Sequence, residues 1–174
     1  MRPRALTTER LRLLPVSEAD LPFLVELDGD PEVMRHLIGR ARTPAEAREF
    51  WRPRIPGPQW IGHLDGRPVG WWALWPREGG IAELGYRLAR HAWRQGLATE
   101  GARAVVDEAF ADPAVQVVRA ETMVANAGSR GVMLRLGMRE VRVEVREWDE
   151  PLPGAELGEV IAEVTRREWS GREA

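Results

Sequence analysis

Cysteine is absent from this chain of 174 residues, which excludes disulfides, thiolate metal sites and a cysteine nucleophile. Lysine is absent too: apart from three histidines, every basic side chain is an arginine. The protein therefore cannot carry an acyl group on a lysine of its own, and a Walker phosphate loop, which needs one, is excluded. No apolar run approaches the length of a membrane span, and Met1-Arg2-Pro3-Arg4-Ala5 lacks the apolar stretch of a signal peptide. A cytoplasmic protein without a membrane partner is expected. The net charge of -2 and the lack of a long basic run argue against nucleic acid as a partner. His36, His63 and His91 have no metal-ligand spacing, so no metal is expected.

What remains describes a globular protein with a core. The hydrophobic fraction is 44% and the charged fraction 30%, without a repeat or a break in composition, so residues 1–174 are expected to form a single domain. Leu11 to Val16 reads as a strand, and Ser17-Glu18-Ala19-Asp20 as the start of a helix with Leu21, Leu24, Val25 and Leu27 on its apolar face. Short helices are predicted from Pro31 to about Leu37 and from Thr43-Pro44 through Trp51. Trp60–Leu64, the turn Asp65-Gly66 and Val69–Trp75 form a hairpin, extended by Ile81–Leu88 into a meander. Gly96 to Asp112 has helical period; Val115–Val124 is a strand; Asn126–Leu136 is a helix that Gly137 closes. Val141, Val143 and Val145 alternate with charges, and Val160–Val164 is a last strand. The order predicts a mixed α/β sheet, mostly antiparallel, with helices on both faces and one strand–helix–strand crossover.

The crossover carries the most chemistry. Gly96 and the small Ala98 let backbone amides approach a ligand where a helix begins, and unpaired amides with the helix dipole suit a diphosphate. Arg94 adds charge. A helix start whose glycine only makes the turn explains the same residues. Asn126 suits a helix N-cap and Ser129 its first turn. Trp71 and Trp72 are adjacent and must point to opposite faces of their strand, so one of them is available to an acceptor pocket.

Trp93-Arg94-Gln95-Gly96-Leu97-Ala98 resembles motif A of the GCN5-related N-acetyltransferases, Q/R-x-x-G-x-G/A, with tryptophan where glutamine or arginine is usual. Thr8–Pro15, Asp30–Met34, Ala82–Gly101 and Asn126–Met138 follow in the order of the ribosomal-protein alanine N-acetyltransferase branch. The resemblance implies that family's acyl-CoA transferase fold, with acetyl-CoA as co-substrate. It implies that the amides of Gln95, Gly96, Leu97, Ala98 and Thr99 hold the coenzyme A diphosphate, and that Leu88 and Ala89 pair with the pantetheine arm. It implies contact of Asn126 with that arm and a hydrogen bond from Ser129 to the leaving thiolate. The tyrosine that many relatives carry further along this helix is missing, since Val132, Met133 and Leu134 stand there.

Glu83 is the candidate base: an attacking amine must be neutral, and a carboxylate acting through water can collect its proton. A polar strand face shared with Arg87 accounts for Glu83 without catalysis. Glu121 is the next candidate, with Glu144 and Glu147 more distant. Direct transfer from acetyl-CoA to a protein α-amine or a small amine, in a ternary complex, is the expected reaction. An acyl-CoA sensor without turnover, and an aminoglycoside or polyamine acetyltransferase, are the alternatives. The resemblance also allows a homodimer in which a late strand pairs between subunits.

Overall fold

In a computed structural model, residues 3–147 and 151–171 are described; Met1 and Arg2 of the Met1–Ala5 segment lie outside them. The chain runs β1 (Leu6–Thr7), β2 (Arg12–Pro15), α1 (Leu21–Asp28), α2 (Pro31–Met34), α3 (Pro44–Trp51), β3 (Gln59–Leu64) and β4 (Arg67–Arg77). It continues through β5 (Ile81–Leu88), α4 (Leu97–Ala111), β6 (Val117–Met123), α5 (Ala127–Arg135), β7 (Arg139–Glu144), β8 (Glu159–Thr165) and α6 (Arg166–Ser170). All eight strands join one sheet in the order β1-β2-β3-β4-β5-β6-β8-β7. Only the β5–β6 pair is parallel, as the crossover through α4 requires. The mixed α/β architecture is therefore the one the sequence predicts. β1 and α6 lie beyond the expected elements, and α2 is a single turn, shorter than the predicted helix.

Local chemistry explains the helix boundaries. Thr43 accepts from the Glu46 N–H while the Glu46 carboxylate accepts from the Thr43 N–H, a capping box that starts α3 with Pro44 in its first turn. Asn126 caps α5 by accepting from the Ser129 N–H at 3.1 Å. The far end of α5 closes on Gly137, at φ 67°, whose N–H donates to Leu134 O while that of Met138 donates to Met133 O.

Two apolar cores lie on opposite faces of the sheet. Trp72, Leu84, Val118 and Ala162 meet Leu97, Val105 and Val106 of α4 and Val132 and Met133 of α5. Trp71, Ile61 and Ala73 meet Leu24 and Leu27 of α1 and Trp51 of α3. The neighbouring tryptophans do point to opposite faces. Trp72 lies under α4 with its Nε1 donating to Ala98 O at 3.3 Å. It fits because Gly62, Gly70 and Gly101 surround its ring: a Cβ on Gly101 would lie 2.5 Å from it. The indole thus supports the first turn of α4 from below.

Candidate active site

The parallel ladder between β5 and β6 covers only Ile81–Glu83 against Val117–Arg119. Beyond it the two strands part, and β5 continues to Leu88 with an open edge. Ala89 N–H donates to Val69 O on the β4 side. Antiparallel alternation then turns the peptide groups of Arg87 and Gly85 toward β4, and those of Tyr86 and Leu88 toward the gap. Of the two predicted pairing residues, Leu88 thus faces the gap with its N–H, while its carbonyl accepts from Trp93 Nε1 at 2.8 Å. Ala89 spends its N–H on the sheet.

At the end of the gap α4 begins. Arg94 has φ 59° and Gly96 φ 79°, so the chain turns twice through left-handed backbone before Leu97. Gly96 is the N-cap and supplies no side chain to the first turn; Leu97, Ala98 and Thr99 have no intrahelical acceptor for their N–H groups. Arg10, which sequence reasoning passed over, braces this loop: its Nη1 donates to Gln95 O at 2.9 Å and its Nε to Glu100 Oε2 at 2.7 Å. Glu100 also accepts from Thr8 Oγ and the Arg10 N–H. Burial pushes its carboxyl up, but these hydrogen bonds and the Arg10 charge outweigh burial and hold it below the usual range. The Gln95 side chain is engaged locally, donating to His91 O.

Across the gap, Tyr86 of β5 reaches the first turn of α5. Its hydroxyl lies 2.8 Å from Ser129 Oγ and 3.0 Å from Ser129 O. Because a carbonyl can only accept, a phenol donating to Ser129 O leaves the Ser129 hydroxyl hydrogen to donate to the phenol oxygen. Burial raises the Tyr86 phenol to about 12, partly offset by the Ser129 hydrogen bond. Tyr86 is the only tyrosine in the chain and was missed because strand alternation puts it with Leu84 and Leu88 on a core face. Asn126 accepts from Ser129 N–H and donates Nδ2 to Thr122 Oγ at 3.1 Å, so its amide already has two protein partners.

Glu83 lies on the opposite sheet face, at the last rung before the strands part, paired to Arg77 Nε at 2.8 Å. Arg87 shares that face but not that partner. It is buried with Asp28, which is fully buried and accepts from Arg87, from Arg42 Nη1 at 2.6 Å and from Trp51 Nε1 at 3.0 Å. Burial lowers the Arg87 guanidinium despite the Asp28 charge. Its guanidinium lies over the rings of Trp51 and Trp71, 5.5 and 5.4 Å from their centroids. This cluster fixes α1, the α2–α3 loop and α3 to β5.

Further along the same face Glu121 accepts from Arg146 Nη1, which Glu159 also engages, while Arg146 Nη2 donates to Glu144. Burial, a hydrogen bond with Glu121 and its charge raise the Glu159 carboxyl. Arg146 and Glu147 line an open concavity of about 670 Å³ together with Pro151, Leu152 and Pro153. The structure thus brings Gln95–Thr99, Leu88, Asn126 and Ser129 around one gap, with Glu83 and Glu121 on the face behind it.

The acetyltransferase (GNAT) domain family matches residues 10–139, three quarters of the chain. The protein belongs to this family. It is an acetyl-CoA-dependent acetyltransferase. FsC-acetyl coenzyme A-N(2)-transacetylase of Aspergillus fumigatus is 38% identical over 94% of this chain and 77% of its own length. Among solved structures, the GNAT-family acetyltransferase of Bacillus anthracis superposes with a TM-score of 0.83 over 94% of this chain and 99% of that one, at 21% identity. The spermidine N-acetyltransferase of Vibrio cholerae, solved with CoA and spermine, gives 0.78 over 92% and 98%, at 15% identity.

Proposed function

We propose that this acetyltransferase moves the acetyl group of acetyl-CoA directly onto the nitrogen of a small-molecule amine. The observation that carries the reading is the end of β5–β6 pairing at Glu83, which leaves the Tyr86 and Leu88 peptide groups facing a gap that the free amides of Leu97, Ala98 and Thr99 close. An extended arm with amide groups and a diphosphate matches those two sets of donors and acceptors. When bound, acetyl-CoA supplies an acyl group activated as a thioester.

The chain's own residues do the rest. The Leu97–Thr99 amides and Arg94 hold negative charge at the start of α4. The β5 edge positions the arm, with Tyr86 and Leu88 in the role the family resemblance implies for Leu88 and Ala89. Ser129 Oγ turns its hydrogen from Tyr86 to the leaving thiolate. A thiol titrates at about 8.5, well below the phenol at about 12, so this pair stabilises the thiolate by hydrogen bonding and keeps its protons. Glu83 collects the ammonium proton through water from the opposite face.

A small amine is favoured over a protein N-terminus by similar proteins whose names give an N(2) position and a polyamine as acceptor. The ribosomal-protein branch suggested by the sequence is the second reading, resting on the four motifs in register.

Thiol release from acetyl-CoA across a panel of polyamines, aminoglycosides and peptides tests the reading. Ser129→Ala should lower kcat by about 10- to 100-fold with the Kd for acetyl-CoA unchanged. An acyl-CoA sensor would bind the thioester and release no thiol with any amine. Turnover confined to peptides would refute the small acceptor.

A further inference from the structure

The sheet face opposite α4 carries a row of four aromatic rings. Phe50, Trp51, Trp71 and Trp75 follow one another with centroids 5.1, 5.3 and 5.6 Å apart. Arginines cover the first three. Arg42 and Arg54 lie over Phe50, each 3.9 Å from its centroid, and Arg87 lies over Trp51 and Trp71. Trp75, the last ring of the row, is only partly buried, and among the described residues no cation lies over it.

Its indole N–H is unspent as well. Six other tryptophans donate theirs to protein acceptors, among them Trp51 to Asp28, Trp71 to Gln59 and Trp93 to Leu88 O. Trp75 Nε1 has no acceptor among the described residues, and it is not buried. A buried indole N–H usually finds a partner, so an open one marks a side that faces solvent or a ligand. Trp71 and Trp72, the adjacent pair from which the sequence offers one ring to an acceptor pocket, are both spent: Trp71 is 5% exposed and Trp72 fully buried.

Trp75 also stands beside the gap. It is opposite Glu83 in the β4–β5 ladder, on the same face, and Glu83 is the last β5 residue paired with β6. The edge of the indole rests on Gly85, two residues further on, where a Cβ would lie 2.8 Å from Cζ3. Glycine there lets the ring lie directly over β5 where the strands part. Glu83 gives Arg77 its Oε2, and among the described residues its Oε1 has no partner. An uncovered indole face next to a free carboxylate oxygen matches an ammonium group. The ring quadrupole attracts the cation, and the carboxylate accepts its N–H.

We infer that Trp75 and Glu83 are the recognition pair for the acceptor, an alkylamine that arrives as its ammonium with the charge over the Trp75 ring. A neutral molecule of the same length gains neither contact. This rests on the reading that the amine reaches the thioester from this face.

Proton–nitrogen spectra of the full chain in the presence of coenzyme A read it out through the Trp75 indole N–H, assigned with Trp75→Phe. Putrescine and spermidine should move that signal saturably and more than any other indole signal. Butanediol, with putrescine's length and none of its charge, should leave it in place. Trp75→Leu should weaken spermidine binding about 3- to 30-fold and raise its KM more than it lowers kcat, with the Kd for coenzyme A held. Trp75→Phe, which keeps a weaker ring face, should fall between the two and stands in if the leucine variant does not fold. Thiol release with an unmoved Trp75 signal would overturn this inference and leave acetyl transfer standing. A moved signal without thiol release would support the recognition pair and sink the transfer reading instead. No shift with either polyamine, an equal response to butanediol, or unchanged spermidine affinity in both variants would each overturn the inference.

Discussion

Asp28→Asn should be among the most damaging conservative substitutions in this protein. The side chain is fully buried and accepts from three donors, two of them guanidinium groups whose side chains are only 14% and 10% exposed. Asparagine keeps the size and removes the only counter-charge these donors have in that cluster. Breaking a buried ion pair from one side costs about 3–5 kcal/mol, because a charge is left without compensation. Set against a total stability of about 5–15 kcal/mol, that is a large share. At roughly 2–4 °C per kcal/mol for a domain of this size, the midpoint should fall by about 6–20 °C. Far-UV circular dichroism on heating, with urea unfolding at constant m-value, measures it. Adding Arg87→Met should cost less than the sum of the single changes, since the second substitution removes a charge the first left unpaired. A loss below about 1 kcal/mol for Asp28→Asn would refute the claim that this cluster binds the helices to β5.

Other outcomes follow from the same geometry. The single tyrosine gives a clean ultraviolet titration: the phenolate should appear at about 12, and a midpoint at its ordinary value of 10.0 would contradict its burial. Because its folded value is raised, the stability this protonated phenol contributes is complete below the unfolded value and is lost as pH rises through the folded one. Gly101→Ala places a methyl group 2.5 Å from the Trp72 ring and should destabilise by about 1–3 kcal/mol, readable in urea, with weaker acetyl-CoA binding as α4 lifts. Gly96→Ala puts a side chain at φ 79°, should cost about 1 kcal/mol, and should weaken affinity for acetyl-CoA in calorimetry.

Much of the fold was legible because its signals are local. The capping pair Thr43 and Glu46, the αL glycines at 96 and 137, and the N-cap Asn126 each announce a helix end within a few residues. The valine–charge alternation after Met138 likewise marks β7. β1 escaped notice because two residues carry no period, and α6 because five carry hardly more than one turn. The candidate site was legible where it depends on backbone, in the helix start after Gly96 that leaves the Leu97–Thr99 amides without intrahelical acceptors. Its side-chain partners were not, because contacts across the chain leave no local pattern. Tyr86 meets Ser129 43 positions away, Arg10 meets Glu100 90 away, and Arg87 meets Asp28 59 away. Strand alternation correctly put Glu83 and Arg87 on one face, yet could not show that each has a different counter-ion, Arg77 for one and Asp28 for the other.

The most direct test follows backbone amide resonances of the intact protein as acetyl-CoA is added. The N–H signals of Leu97, Ala98 and Thr99 should move together with those of Tyr86 and Leu88, while that of Ala89, held by Val69, should move least. Saturable binding that leaves the first three amides unshifted would contradict the assignment of this gap to the thioester.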